Sequence, residues 1–257
     1  MLTSMQGALL GGLAAPVATA LGALPALALR KVTRRAEDLM LGFAAGVMLA
    51  ASAFSLILPS IDAGEVLYGS RMPAALLAAA AIGVGALLMV GIDRTLPHEH
   101  RHLGRHGMGA QWARVWLLVL AIMIHNFPEG MAIGVAFSGE DPAAGIPIAT
   151  AIAIQDIPEG LVVALALRAI DYPPTKAVLI AAATGLAEPV GAVLASAVTG
   201  FSPALYPFGL ALAAGAMLFV VSHEIIPETH RGGHQMPATL GVMGGFAVMM
   251  VLDNAFA

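Results

Sequence analysis

The sequence predicts an all-α polytopic membrane protein of eight transmembrane helices, with helices 1–3 and 6–8 forming an inverted repeat around central helices 4 and 5. Three observations lead to this fold class. Apolar residues make up 59 % of the 257-residue chain and charged residues 11 %, and mean hydropathy is +0.86; soluble domains carry about 45–50 % and about 25 %. Eight stretches approach the roughly 20 apolar residues that a membrane span needs. Of the 12 Lys and Arg, 11 fall in alternate connections between those stretches. The same figures exclude a disordered chain, which needs low hydrophobicity and high charge. A net charge of −4 leaves no basic footprint for nucleic acid. With no cysteine there are no disulfides, thiolate metal sites or cysteine nucleophiles.

The first span, 5–29, has no positive charge before it and a basic cluster after it, the reverse of a signal peptide. The second, 38–60, follows that cluster and closes at Pro59. The third, 73–93, ends in Ile92-Asp93. The longest connection, 94–113, follows, and Trp112 and Trp116 mark the start of the fourth span, 114–138, as interfacial anchors. The fifth and sixth, 144–168 and 176–199, are separated by Arg168 and Lys176. The seventh, 204–227, ends at Pro227, and the eighth is 237–256. Nothing is left over for a soluble domain, so 1–257 reads as one membrane domain in the lipid bilayer.

The basic residues orient it. Arg30, Lys31, Arg34, Arg35, Arg94, Arg101, Arg105, Arg114, Arg168, Lys176 and Arg231 share one side, and Arg71 alone lies on the other. The positive-inside rule puts the former in the cytoplasm and both termini outside. Asp62, Glu65, Glu140 and Asp141 make the outer loops acidic, so a cation meets negative charge first there.

The chain also resembles itself. Gly12-Leu13-Ala14-Ala15-Pro16-Val17 matches Gly185-Leu186-Ala187-Glu188-Pro189-Val190. Ala44-Ala45-Gly46-Val47-Met48-Leu49 matches Ala213-Ala214-Gly215-Ala216-Met217-Leu218, and Ile92-Asp93 matches Leu252-Asp253. Two spans separate the copies, so they lie in opposite orientations, as in secondary transporters. Spans 4 and 5 form a further pair: His125-Asn126-Phe127-Pro128-Glu129-Gly130 recurs as Gln155-Asp156-Ile157-Pro158-Glu159-Gly160.

Ionisable groups inside a span are expensive and mark function. His125 and Glu129 stack on one helical face, as do Gln155 and Glu159, while Asn126 and Asp156 are rotated by about 100° from them. Pro128 and Pro158 each remove a helical hydrogen bond, so the helix should bend and bare the carbonyls of residues 124 and 154. Gly130 and Gly160 allow close helix approach. Span 6 adds Glu188. No Lys or Arg stands at that depth against Glu129, Asp156, Glu159 and Glu188, so protons or metal cations must balance four carboxylates. Two divalent ions would do so, with Glu129 and Glu159 bridging them. Nitrogen and oxygen donors without sulfur suit Zn²⁺, Fe²⁺, Mn²⁺ or Cd²⁺ over Cu⁺.

On these paired motifs the chain resembles the ZIP (Zrt-, Irt-like protein) metal transporters, bacterial members in particular, over nearly its whole length. The resemblance implies transport of divalent metal, chiefly zinc, into the cytoplasm across the plasma (inner) membrane, with Cd²⁺ or Fe²⁺ as substitutes. It implies one ion held by His125, Glu129, Gln155 and Glu159, joined by Met48, and a second held by Asn126, Glu129, Asp156, Glu159 and Glu188. Gln155 and Asp156 stand where many eukaryotic members have histidine and asparagine. It also implies that spans 1, 4, 5 and 6 move against 2, 3, 7 and 8, and that His98 and His100, in a cytoplasmic loop with His102 and His106, accept metal on exit.

Three further features carry expectations. His223-Glu224-Ile225-Ile226-Pro227 fails the HExxH protease pattern at Pro227 and reads as an exit-side relay, with Glu228 beyond it. Asp62 and Asp253 stand near the entrance. Small-residue helix faces favour a homodimer. An intramembrane hydrolase and a non-transporting metal sensor are the alternatives. The ligands are too numerous for a catalytic metal with three protein ligands and a water, and flux separates a transporter from a sensor.

Overall fold

A computed structural model describes residues 3–29, 33–95, 108–139, 141, 143, 145–202, 204–231 and 233–256, without the side chains of several helical residues, Asp93, Arg114, His125, Glu224 and Arg231 among them. All regular structure in the described residues is helical: α1 Ser4–Ala23, α2 Arg34–Ala50, α3 Leu58–Tyr68, α4 Arg71–Thr95, α5 Met108–Ala136, α6 Gly145–Ala169, α7 Pro174–Thr184, α8 Ala187–Thr199, α9 Leu205–Val220, α10 Ile226–Arg231 and α11 Gln235–Phe256. A 3₁₀ turn, Leu24–Leu27, extends α1. Thr3 caps α1 in a reciprocal box with Gln6, and the Thr33 side chain caps α2, so orphan amide donors at both starts are satisfied.

Seven segments among the described residues are long and apolar enough to cross a membrane: Ser4–Leu27, Arg34–Tyr68, Arg71–Ile92, Gly145–Ala169, Pro174–Thr199, Leu205–His230 and Gln235–Asp253. The 29-residue α5 lies over the remaining expected span, 114–138. Large apolar side chains such as Leu10, Val17, Leu76, Leu87 and Met243 are exposed on the outer surface. A soluble monomer rarely shows so much contiguous apolar surface, whereas lipid covers it in a bilayer.

Helices run past the expected boundaries because a helix satisfies its own backbone in any solvent. The expected connection 94–113 is entered by α4 at one end and by α5 at the other. The second span continues to Tyr68 and stops at Gly69, whose φ of 71° lies in the left-handed region. Asp62 and Glu65 therefore sit on a helix rather than in a loop. Both pair with Arg71, at 2.9 and 3.0 Å, so one guanidinium offsets part of the acidity expected of this connection.

The second span changes to π-helix over Ala51–Ile57, and the seventh does so over Val221–Ile225. Each π stretch follows one copy of the Ala-Gly-Met-Leu repeat. The sixth span is broken at Gly185-Leu186, between α7 and α8.

The four most extensive helix pairings are α2 with α11, α4 with α9, α1 with α6 and α5 with α8. They sort the spans into two groups, 1, 4, 5 and 6 against 2, 3, 7 and 8. Within each pair, glycines bring backbones together. A Cβ on Gly46 would lie 2.0 Å from the carbonyl oxygen of Val242, and one on Gly245 2.0 Å from that of Phe43. Gly85 and Gly215 face Leu212 and Ile82 in the same mutual way. The first repeat motif packs on its own copy: Gly12 meets Pro189, and Gly185 meets Pro16. The main apolar core runs from α1 through α2, α5, α6 and α8 to α9, and includes Met48, Ala132, Ile152 and Met217.

Candidate metal centre

Pro128 lies inside α5 and Pro158 inside α6, and both helices continue through them. Each proline leaves a carbonyl one turn earlier without its usual donor. The polar residues stand beside these positions, with Asp156 near the middle of the 25-residue α6. Glu188 reaches them from the first turn of α8, where the exposed amide ends of a helix favour a carboxylate. Gly130 permits this approach: its Cβ would lie 2.1 Å from the carbonyl oxygen of Glu188. Gly191 reciprocates against Phe127, and Gly160 brings α6 equally close to Thr19 of α1.

Carboxylate oxygens of Glu129, Asp156 and Glu159 all lie within 4.8 Å of one another. The Gln155 amide donates to one oxygen of Glu129. Glu188 is within electrostatic reach of Asp156, Glu129 and Glu159. Asn126, Glu129, Gln155, Asp156 and Glu188 are at most 1 % exposed. Yet Asn126 Oδ1, Glu129 Oε2, Gln155 Oε1 and both oxygens of Asp156 and of Glu188 have no hydrogen-bond partner among the described residues. Buried polar atoms are almost always paired, and a buried charge is paired or coordinates metal. A cluster of oxygen donors with these lone pairs unused has the chemistry of a hard or borderline cation site.

The other expected residues are as follows. Met48 is fully buried on α2 within the apolar core. His125 lies on α5, four residues before Glu129, and its side chain is outside the described residues, as is that of Glu224; His98 and His100 lie outside them altogether. His223 is exposed in the π stretch, its ring stacked on Phe219 at a centroid distance of 4.9 Å. Asp62 is tied to Arg71. Asp253, near the end of α11, accepts a hydrogen bond from Ser55 in the other π stretch. Ser55 was not among the expected residues, because an isolated serine in an apolar run carries no signal until the fold brings an acid to it. Asp38 was missed as well. It is buried near the start of α2 and paired with His234 at 3.2 Å, joining the second and eighth spans.

A many-helix membrane protein with a buried cluster of acids, and no Lys or Arg beside it among the described residues, is of the class that passes cations across a bilayer. Comparison with known proteins gives the class its family. The family model described as "ZIP Zinc transporter" matches residues 93–253. "Zinc transporter ZIPB" of Bordetella bronchiseptica is 57 % identical over 96 % of this chain and 81 % of its own. "Zinc transporter GufA" of Myxococcus xanthus is 43 % identical over 97 % and 98 %, and "Zinc transporter ZIP11" of Bos taurus 30 % identical over 91 % and 93 %. The chain belongs to the ZIP zinc transporter family, a family of transporters rather than of enzymes.

Proposed function

We propose that this chain carries zinc across the inner membrane into the cytoplasm, through a centre formed by α5, α6 and α8. One observation carries the reading: Glu129, Asp156 and Glu159 converge within 4.8 Å in a buried place, with Glu188 beside them and no Lys or Arg among the described residues to balance them. Desolvated acids at such density are stabilised by a cation that shares them. The centre holds two ions, with Glu129 and Glu159 as bridges. His125, Gln155 and Met48 complete one ion's donors, and Asn126, Asp156 and Glu188 the other's. Cd²⁺ and Fe²⁺ fit the same oxygen and nitrogen donors.

The finer features of the reading have their own support. The α5 helix is the fourth membrane span, since its 29 residues cover most of the expected 114–138 and are long enough to cross a bilayer. An inverted repeat relates spans 1–3 to 6–8. The matched π stretches, the mutual packing of Gly12 on Pro189 and Gly185 on Pro16, and the four pairings, which exchange under that symmetry, all favour it. The same pairings divide the spans as a carrier that moves 1, 4, 5 and 6 against 2, 3, 7 and 8 requires. Both termini lie outside, by the distribution of Lys and Arg. His98, His100, His223 and Glu224 take metal on the cytoplasmic side, and Asp253 with Asp62 meets it on the other. Two chains associate through small-residue faces as a homodimer.

Zinc uptake into proteoliposomes that contain a metal-sensitive dye tests the reading. The native chain should give saturable uptake, and His125→Ala and Glu129→Ala should each lower it at least tenfold. Tight zinc binding without flux would assign the centre to sensing instead.

A further inference from the structure

Between the two groups of helices lies a groove of about 650 Å³. Leu21 and Pro25 from the first span and Ile157 and Pro158 of α6 form one wall; Leu39 and Phe43 of α2 and Gly244 of α11 belong to the other. Every lining residue is apolar. Leu21, Leu39 and Ile157 are themselves exposed, so the groove opens on the same surface as the lipid-facing belt. Water gains no hydrogen bond there, and an acyl chain fits it chemically.

The groove has a charged end. Arg35, exposed near the start of α2, lies four residues before Leu39, hence on the same helical face and about 6 Å along the axis from it. Arg34 stands beside it, exposed and bridged to Glu37 at 3.2 Å. Guanidinium groups next to an apolar slot match a lipid phosphate above its acyl chain. Zwitterionic and anionic lipids share the phosphate, but exposed cations at a bilayer surface favour net negative headgroups.

We infer that an anionic phospholipid binds this groove, one acyl chain between α1/α6 and α2/α11 and its headgroup on Arg34 and Arg35. The bound chain lies against Ile157 and Pro158, between the α6 positions that supply Asp156 and Glu159. It therefore wedges the two helix groups apart at the level of the acidic centre. Binding depends only on the groove and is separate from transport.

Gly244 provides the test, because a Cβ built there meets nothing within 4 Å. The full chain is reconstituted in vesicles of equal phosphatidylglycerol and phosphatidylcholine, extracted gently, and its retained lipid counted by native mass spectrometry. The native chain and Gly244→Ala should retain phosphatidylglycerol several-fold over phosphatidylcholine. Gly244→Leu, which fills the slot, should lose at least fivefold of it, and Arg35→Gln should bring the two lipids to parity. A thermal melt in detergent confirms that each variant is folded. A folded Gly244→Leu that keeps native retention overturns the inference, as does equal retention of both lipids by the native chain. Stabilisation of the chain in pure phosphatidylcholine by inorganic phosphate, equal to that from phosphatidylglycerol, overturns the lipid as occupant.

Discussion

Glu129 accepts from Gln155 on one oxygen and has its other oxygen unpartnered among the described residues, which makes it the natural residue to be shared between two ions. Ligation requires carboxylates without their protons, so protons and zinc compete for the cluster. Zinc binding should therefore release protons, and affinity should fall as pH falls. Calorimetry in buffers of differing ionisation enthalpy checks this: the apparent enthalpy should change with the buffer, and an invariant enthalpy would exclude the competition. Much of this centre was legible from residues alone. Acids deep in apolar spans have no packing role, so Glu129 and Glu159, at matched positions, stood out together with Asp156 and Glu188. Ser55 and Asp38 did not, because their partners lie about two hundred positions away along the chain, on the eighth span and just before it. Asp62 was legible as an acid but not as a neutralised one, since its pairing with Arg71 depends on α3 continuing through it.

At the scale of the helix, the approach of α5 to α8 depends on Gly130. Adding a methyl there sets it 2.1 Å from a backbone oxygen of Glu188, and a backbone cannot rotate away as a side chain can. Gly130→Ala should lower stability by about 1–3 kcal/mol, the usual range for overpacking. It should also weaken zinc binding, because Glu188 shifts with its helix. Gly244→Ala, with open space around it, should leave both unchanged, and melting curves with and without zinc compare the two. Seven of the eight expected apolar stretches coincide with candidate spans among the described residues, although 38–60 falls short of Arg34–Tyr68. Hydropathy reports the hydrocarbon core alone, while a helix continues until a Gly69, a proline or a loss of capping stops it. The π stretches left no mark in the sequence, since they redistribute backbone hydrogen bonds without demanding a residue type.

For the whole molecule, the pairings define two bodies with a groove between them, and the proposed transport cycle moves one against the other. The chain lacks cysteine, so introduced thiols are unique. A flexible bis-maleimide joining Leu21→Cys to Leu240→Cys crosses the groove from one body to the other and should abolish zinc uptake. The same reagent joining Leu21→Cys to Ile157→Cys stays within one body and should leave uptake near native. Equal uptake in both bridged forms would rule out relative motion of the bodies. The family resemblance implied this partition, but sequence matches alone could not say which helix packs on which. At 35 residues, the helical segment Arg34–Tyr68 is about 50 Å long and outlasts a hydrocarbon core of about 30 Å. Its last two turns, braced by Arg71, form a rigid post in water. A grafted epitope at its exposed end, Val66 to Tyr68, beyond Asp62, would let an antibody fragment report the orientation of this small transporter in electron micrographs.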